Sequence, residues 1–480
     1  VPAESLEFRL RQLIFPGIRI GREAPAKARQ LAAAGVGGFC VYYGTPQRVR
    51  SLVEDLQKRA PTPLLMAADY EDGPASQVRG ATRLPSNMGL AAAGRLADIE
   101  EKARLTCVEA DAMGIRWIFA PVVDLADRPE NPIVNIRAFS DDPQKVQRYA
   151  QAYLRGIRRA GLLSCTKHFP GHGDVAGDSH LTLPKLKVSL ARLTRHELPP
   201  FVRTAKLSDS VMLAHLLVAA LDRRHPATLS KAAMRLLRRR MGSHIAAVTD
   251  ALDMKAVADR YDEVEAAALA LAAGADVILV PKYPQRLLRE LPKRVRRLGL
   301  EDRVAEAWTR VKRLKHRAGL ADGGRPRGAL RQVGSPSHLR RAQQLADRAL
   351  ASVGRTQDLL PARYVRVVDP HGQARAFITE LKRLGVRVGR GAPLTLVVAS
   401  YHPRAYSGKI FPTQKECRRL QQALSEKSAL LLSFGSPFVF RQLNLPAGLC
   451  AFSPSNEAQR AMARAVVGRI RAAGQMPVTL

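Results

Sequence analysis

The sequence predicts an α/β protein in two parts: a (β/α)8 TIM-like barrel followed by a smaller α/β sandwich domain. Three observations predict it. Short apolar runs alternate with amphipathic stretches over roughly the first 320 residues, the pattern of repeated βα units. The apolar runs show no polar/apolar alternation, as strands covered by helices on both faces require. Polar residues recur just where those runs end, at Asp69, Asp124, Lys167 and His168, His215 and Asp250. In a barrel that end holds the active site, because the loops after the strands converge there.

The strands are read in order at 13–20 (the least regular), 36–43, 63–69, 117–124, 162–168, 210–214, 245–250 and 275–281. Helices are expected at 99–113, 143–160 and 262–273 among others, and a basic helix at 301–318 closes the series. A Gly/Pro/Arg/Ser-rich stretch, 319–337, reads as a linker. The division is therefore a catalytic barrel at 1–320, a linker at 321–337 and a second domain at 338–480. In the second domain, strands are expected at 364–368, 394–400 and 429–434, and helices at 372–384, 413–425 and 456–473. It has no GxGxxG turn, so no dinucleotide cofactor is implied, and no cofactor is expected at all.

Charge is the unusual feature of the composition. Seventy-seven Lys and Arg face 42 Asp and Glu, a formal net charge of +35. Such a surface attracts polyanions, whether nucleic acid, acidic cell-wall polymer or anionic lipid. The basic residues are scattered, however, and often fall on polar helix faces such as 238–240 and 294–297. No nucleic-acid motif accompanies them and aromatics are few, so the expectation is nonspecific attraction with no specific nucleic-acid partner. The five cysteines, Cys40, Cys107, Cys165, Cys417 and Cys450, are far apart and lie mostly in apolar runs, which reads as buried free thiols. No apolar run reaches membrane-spanning length, and residues 1–10 lack a signal peptide's apolar core. A cytoplasmic protein is expected, with secretion after leader removal left open because the chain starts at valine.

The segment 167–180, Lys-His-Phe-Pro-Gly-His-Gly-Asp-Val-Ala-Gly-Asp-Ser-His, is the most informative. It leaves a buried strand at Lys167 and continues as a loop bent by glycines and a proline. Asp178 and His180 are two apart, a spacing that lets the carboxylate orient the imidazole and raise its pKa. Such a histidine can protonate a leaving oxygen and later deprotonate water. The bland alternative is a turn stitched by side-chain hydrogen bonds. His168, His172, Asp174, Asp178 and His180 also raise a metal site, but no HExxH helix is present and the Gly/Pro content rules out a rigid helical face, so no metal is expected.

The segment resembles the signature of the β-N-acetylglucosaminidase branch of glycoside hydrolase family 3. Residues 247–254, Ala-Val-Thr-Asp-Ala-Leu-Asp-Met, are similar to that family's nucleophile motif. Further similar runs are 67–71 (Ala-Ala-Asp-Tyr-Glu), 135–139 (Asn-Ile-Arg-Ala-Phe), 211–215 (Val-Met-Leu-Ala-His) and the terminal 474–480 (Gly-Gln-Met-Pro-Val-Thr-Leu). By this resemblance Asp250 is the nucleophile, Asp178 and His180 are the acid/base dyad, and Asp69, Arg137, Lys167 and His168 hold sugar hydroxyls. Paired charges give directional hydrogen bonds to vicinal hydroxyls, although Asp69 and Arg137 could each be a structural ion pair. Asp124 and His215 either join the site or brace the rim. The run 71–79, Glu-Asp-Gly-Pro-Ala-Ser-Gln-Val-Arg, departs from the family's E-G-G-R-V, leaving Arg79 and Arg83 to compete for a second sugar-binding arginine.

The implied activity is a retaining β-N-acetylhexosaminidase working by double displacement on a small carbohydrate, an N-acetylglucosaminide such as a peptidoglycan fragment. Within the enzyme class, a glycoside phosphorylase and a β-glucosidase of the same family are the alternatives. From another class, a catalytically idle binder of cell-wall or nucleic-acid polyanions is the rival, and the joint presence of Asp250, Asp178 and His180 in matching motifs argues against it.

Overall fold

The computed structural model describes residues 4–403, 406–407, 410–426, 428–444 and 447–480. The first unit is built on one parallel sheet whose seven strands lie side by side in chain order: Gly17–Arg19, Gly38–Tyr42, Leu65–Ala68, Trp117–Ile118, Leu163–Phe169, Ser210–Leu213 and Ala246–Thr249. Helices follow most strands and cover the outer face, so nearly every strand residue is buried, as the unalternating sequence pattern predicted. The sheet curls. Past Ala246–Thr249, Thr249 N donates to Val277 O (3.0 Å), and Ile278–Leu279 pairs in parallel with Ile14–Phe15. Gly37 N in turn donates to Ile14 O (3.1 Å). The irregular first strand is thus one run broken at Pro16, whose ring nitrogen has no hydrogen to give to a ladder. Side chains fill the inside of the curl, where Trp117 lies edge-on to Phe15 (5.6 Å) and Phe119 (5.1 Å) and donates from Nε1 to Ser210 Oγ (3.1 Å).

The strand expected at 117–124 is only partly regular. It is a two-residue strand, Trp117–Ile118, followed by an irregular path on which Val122 bridges to Lys167. Pro121, again without an N–H, stands where the ladder stops. The helices start where local chemistry says they should. Thr45, Ser86, Asp142 and Asp262 each accept a backbone N–H at the first turn, and proline occupies the start of Pro46–Arg59 and Pro143–Arg159.

The stretch expected to be a linker is pinned to the first unit. Buried Arg116 donates to Ala318 O (3.1 Å), Gly319 O (2.7 Å) and Asp322 Oδ2 (3.0 Å), and Gly334 N donates to Glu109 Oε1 (3.0 Å). Its composition breaks helices, yet its carbonyls answer a guanidinium that burial obliges to find partners. Helix Pro336–Arg348 then leads into a second sheet of six strands, in spatial order Ala351–Val353, Gly448–Cys450, Ala429–Ser433, Leu394–Ala399, Tyr364–Val368 and Arg387–Val388. All neighbours are parallel except the first pair. The helix expected at 456–473 ends at Val466, two residues before Gly468, whose φ of 76° turns the chain away.

The two units share an apolar seam. Met88, Val134 and Ile136 from the first pack with Val397, Leu431, Phe438 and Phe452 from the second. The last residues bind both: Gly474 N donates to Leu350 O (2.9 Å), Gln475 N to Ala92 O (3.0 Å) and Thr479 N to Asp141 Oδ2 (2.8 Å). All five cysteines are free, four of them buried and Cys417 partly so. Among the described residues no helix is long and apolar enough to cross a membrane.

Candidate active site

The carboxyl ends of the strands open into a cavity of about 670 Å³. Asp69, Arg137, Lys167, His168, His180 and Asp250 all line it, as do Glu71, His172 and Arg83. Arg79 is not among its lining residues, so of the two competing arginines the structure brings Arg83 to the cavity.

Asp250 directly follows the strand Ala246–Thr249, and its backbone N donates to Leu213 O (3.1 Å). Its Oδ1 accepts from Ala251 N (2.8 Å), which fixes the carboxylate's rotation and leaves Oδ2 toward other partners. Burial works against the charged form, but His215, His168, His180 and the Ala251 N–H offset it, so the carboxyl titrates below its ordinary value.

The loop after Leu163–Phe169 carries the dyad. It passes so close to the segment holding Leu125 that a Cβ on Gly173 would lie 2.1 Å from Leu125 O, and Gly171 adopts φ 131°. Only glycine fits either position. Asp178 is buried, and one of its oxygens accepts from both the backbone N and Nδ1 of His180, each at 2.8 Å. With Nδ1–H committed to the carboxylate, Nε2 is the ring nitrogen turned to other partners. His180 keeps 22% of its side chain exposed, so that nitrogen is reachable.

Lys167 and Arg137 are held by acids. Lys167 Nζ donates to Asp69 Oδ1 (2.7 Å) and lies 2.6 Å from Glu71 Oε1. Arg137 meets Glu71 through Nε and NH2, both at 2.8 Å, and donates from NH1 to Ile133 O (2.8 Å). Although burial opposes its charge, Glu71 is held well below the usual carboxylate range by Arg137 and Lys167. Lys167 is pushed up in turn, its burial outweighed by Asp69 and Glu71. The cluster is a row of preorganised donors and acceptors of the kind vicinal hydroxyls bind.

Asp124 and His215 are braces. Asp124 accepts from His168 Nδ1 (2.7 Å), His168 N (3.1 Å) and His172 N (2.8 Å), and is fully buried. It fixes the His168 ring so that Nε2 is the nitrogen left for the cavity. His215 bonds Thr228 Oγ1 through Nδ1 (2.8 Å) and Ala251 O through Nε2 (3.0 Å), tying down the residue after Asp250. A carbonyl only accepts, so the proton of neutral His215 sits on Nε2. The residues once considered for a metal are dispersed over different partners: Asp174 pairs with Arg128 (3.1 Å) and Arg192 (3.2 Å), while His168 and His172 face Asp124. Among the described residues no group of three or more His, Cys, Asp and Glu comes together in a metal-holding cluster.

Residues 5–314 match the model of the glycosyl hydrolase family 3 N-terminal domain. The chain belongs to glycosyl hydrolase family 3. Among curated relatives, a β-hexosaminidase of Chromobacterium violaceum is 33% identical over 335 residues, covering 65% of this chain and 91% of that protein. β-Hexosaminidase A of Pseudoalteromonas piscicida is 31% identical over 336 residues; the match covers 64% of this chain but only 56% of that longer protein. Among solved structures, a family 3 β-N-acetylglucosaminidase from Paenibacillus sp. str. FPU-7 superposes with a TM-score of 0.88 at 27% identity, over 100% of this chain and 99% of that one. A β-glucoside phosphorylase superposes with a TM-score of 0.89 at 23% identity, over 99% and 94% of the two chains, which shows a shared fold and no more.

This family 3 site contains residues that the sequence did not single out. Glu71 is the hub joining Lys167 to Arg137; it stands two residues after Asp69 at a strand end, which was the available signal. Arg19 donates to Asp253 (2.9 Å) on the rim, where Tyr42 and Tyr43 also stand. His402, Pro403, Tyr406, Ser453 and Pro454 of the second unit line the same cavity, and no local pattern marked them. His172 is buried with no hydrogen-bond partner for either ring nitrogen among the described residues. Burial and neighbouring His168 push its pKa down to about 4, which keeps the ring neutral at pH 7.

Proposed function

We propose that this family 3 glycoside hydrolase is a retaining β-N-acetylhexosaminidase of the N-acetylglucosaminidase branch. We place its catalytic machinery on a (β/α)8 barrel at 1–320, joined through 321–337 to an α/β sandwich at 338–480. The observation that carries the reading is the meeting of Asp250 and the Asp178–His180 dyad at one cavity, beside the Asp69–Lys167–Glu71–Arg137 cluster. The names borne by the relatives 31% and 33% identical to this chain support N-acetylhexosamine as the sugar.

In this mechanism, Asp69, Arg137, Lys167 and His168 hold the sugar ring by its hydroxyls. Asp250 Oδ2 attacks the anomeric carbon as protonated His180 Nε2 delivers its proton to the departing oxygen. A glycosyl ester on Asp250 results. Neutral His180 then takes a proton from water, whose oxygen attacks the same carbon and releases Asp250, so two inversions give net retention. A retaining enzyme more commonly uses two carboxylates. A histidine donor is neutral after the first step and does not repel an anionic acceptor, which is why phosphate belongs in the test.

The test compares kcat/KM for 4-nitrophenyl β-N-acetylglucosaminide and 4-nitrophenyl β-glucoside, each with and without phosphate. The expected result is a clear preference for the first substrate and release of free sugar regardless of phosphate. Preference for the glucoside refutes the branch assignment, and a sugar phosphate as main product makes the protein a phosphorylase.

A further inference from the structure

We propose that Tyr406, on the second unit, is a positioning residue for the proton donor of the first, its ring packing on His180 and fixing the imidazole over the cavity. The inference rests on the reading of His180 as acid/base given above. The two ring centroids are 4.8 Å apart with the planes at 56°. That separation lies at the short end of the range in which aromatic pairs attract.

The need for such a contact follows from how His180 is held. Residues 170–184 form neither strand nor helix; beside His180 a turn fixes the backbone, with Leu181 N and Thr182 N both donating to Asp178 O (3.0 Å), but it does not reach the imidazole ring. Asp178 reaches His180 through one oxygen, which accepts from both the backbone N and Nδ1. A single acceptor on one ring edge is a pivot: it sets which nitrogen faces the cavity, but leaves the ring able to rock about that bond. Proton transfer requires Nε2 within hydrogen-bond reach of the departing oxygen, and rocking takes it out of line. A ring lying against the imidazole removes this motion, and Tyr406 is in that position.

The backbone is consistent with this role. Tyr406 has φ 65°, a region non-glycine residues seldom enter, and it lines the cavity beside His402 and Pro403. The residue is 56% exposed, so it is not a core residue that the second unit needs in order to fold. The apolar seam fixes the relative placement of the two units, and Tyr401 and Phe411, on either side of Tyr406, pack against it.

The experiment uses the full chain with Tyr406→Ala, Tyr406→Phe and His180→Ala, assayed on phenyl and 2,4-dinitrophenyl β-N-acetylglucosaminides. The phenyl leaving group needs a proton and the dinitrophenyl group does not. Tyr406→Ala should lower kcat on the phenyl substrate by roughly 3- to 10-fold, the size an aromatic contact sets, and leave the dinitrophenyl rate within about twofold. Tyr406→Phe should restore what the alanine loses, because the ring and not the hydroxyl makes the contact. Equal losses on both substrates, no loss on either, or failure of phenylalanine to restore the rate each overturn the inference. His180→Ala separates the two layers. If it shows leaving-group dependence and Tyr406→Ala does not, only the Tyr406 inference falls; if it shows none, the acid/base reading falls and takes the inference with it.

Discussion

Replacing Glu71 by Gln is the most informative perturbation of the proposed sugar-binding cluster. Glu71 answers two cations at once, with Arg137 bonded through both of its oxygens and Lys167 beside Oε1. Lys167 keeps Asp69 when Glu71 is neutralised, whereas Arg137 keeps only the Ile133 carbonyl. One guanidinium is therefore left without its charge partner. Removing one partner of a buried pair costs about 3–5 kcal/mol. Arg137 retains 24% exposure of its side chain and the amide oxygen still accepts one bond, so about 3 kcal/mol is expected. With an unfolding entropy of about 2.1 cal/mol/K per residue, a unit of roughly 320 residues moves by about 1.5 °C per kcal/mol, so the midpoint of thermal unfolding should fall by about 4–5 °C. Because the Glu71 carboxyl is held below its ordinary value, its stabilisation is fully present above the unfolded pKa of about 4.3 and is lost as pH falls through the lower folded value. The gap between wild type and variant should thus be constant from pH 6 to 8 and narrow below about pH 4.3. Thermal midpoints measured across that pH range decide the matter. A shift under 1 °C at pH 7, or a gap that does not change in acid, would refute the reasoning.

Asp250→Asn should keep the fold and lower kcat by on the order of 10³-fold or more, read in steady-state turnover of an aryl glycoside; near-normal turnover removes Asp250 from the mechanism. His180→Ala should cost about 10²–10⁴-fold on substrates with poor leaving groups and much less on activated ones. Asp124→Asn should lower kcat/KM with little change in leaving-group dependence, since it bears on His168, proposed to hold the sugar, and not on His180, the proposed donor; a leaving-group effect as steep as that of His180→Ala contradicts this. Binding of DNA or an acidic wall polymer to the +35 chain should weaken steeply with salt while turnover of a small neutral glycoside changes far less; polymer-selective binding that survives high salt points to a dedicated site.

What the sequence made legible, and what it did not, divides along a physical line. Strand runs, their burial on both faces, and polar residues at their ends depend on local pattern, and the curled parallel sheet followed those runs to within a few residues at most strands. Asp250, Asp178 and His180 sit in contiguous motifs whose spacing already dictates that the last two can bond. Glu71 was harder to find, because its function lies in two partners 66 and 96 positions away that only the fold brings to it (137 − 71 and 167 − 71). Tyr406 was out of reach for the same reason, carried to the cavity by packing between units and by no pattern of its own. For the stretch read as a linker, composition reports only that it forms no long helix or strand, and says nothing of whether a buried arginine elsewhere needs its carbonyls.

The fold, and not the local motif, also explains how Asp250, the proposed nucleophile, keeps its charge. A carboxylate at the bottom of a cavity loses solvation, and burial alone would push it toward the neutral acid, which cannot attack. No lysine or arginine pairs with Asp250 among the described residues; the groups that offset burial are the imidazoles of His215, His168 and His180 and the Ala251 N–H. A full ion pair would hold the carboxylate more firmly but would also lower its nucleophilicity by occupying its oxygens. Imidazoles at a distance, together with one backbone donor on Oδ1, favour ionisation and leave Oδ2 for the sugar. His215 is itself kept toward its neutral form by burial, so it acts on Asp250 mainly by fixing Ala251 and hence that backbone donor. Asp250 is therefore held as the carboxylate in the free enzyme, the form that the proposed double displacement needs at the moment His180 gives up its proton.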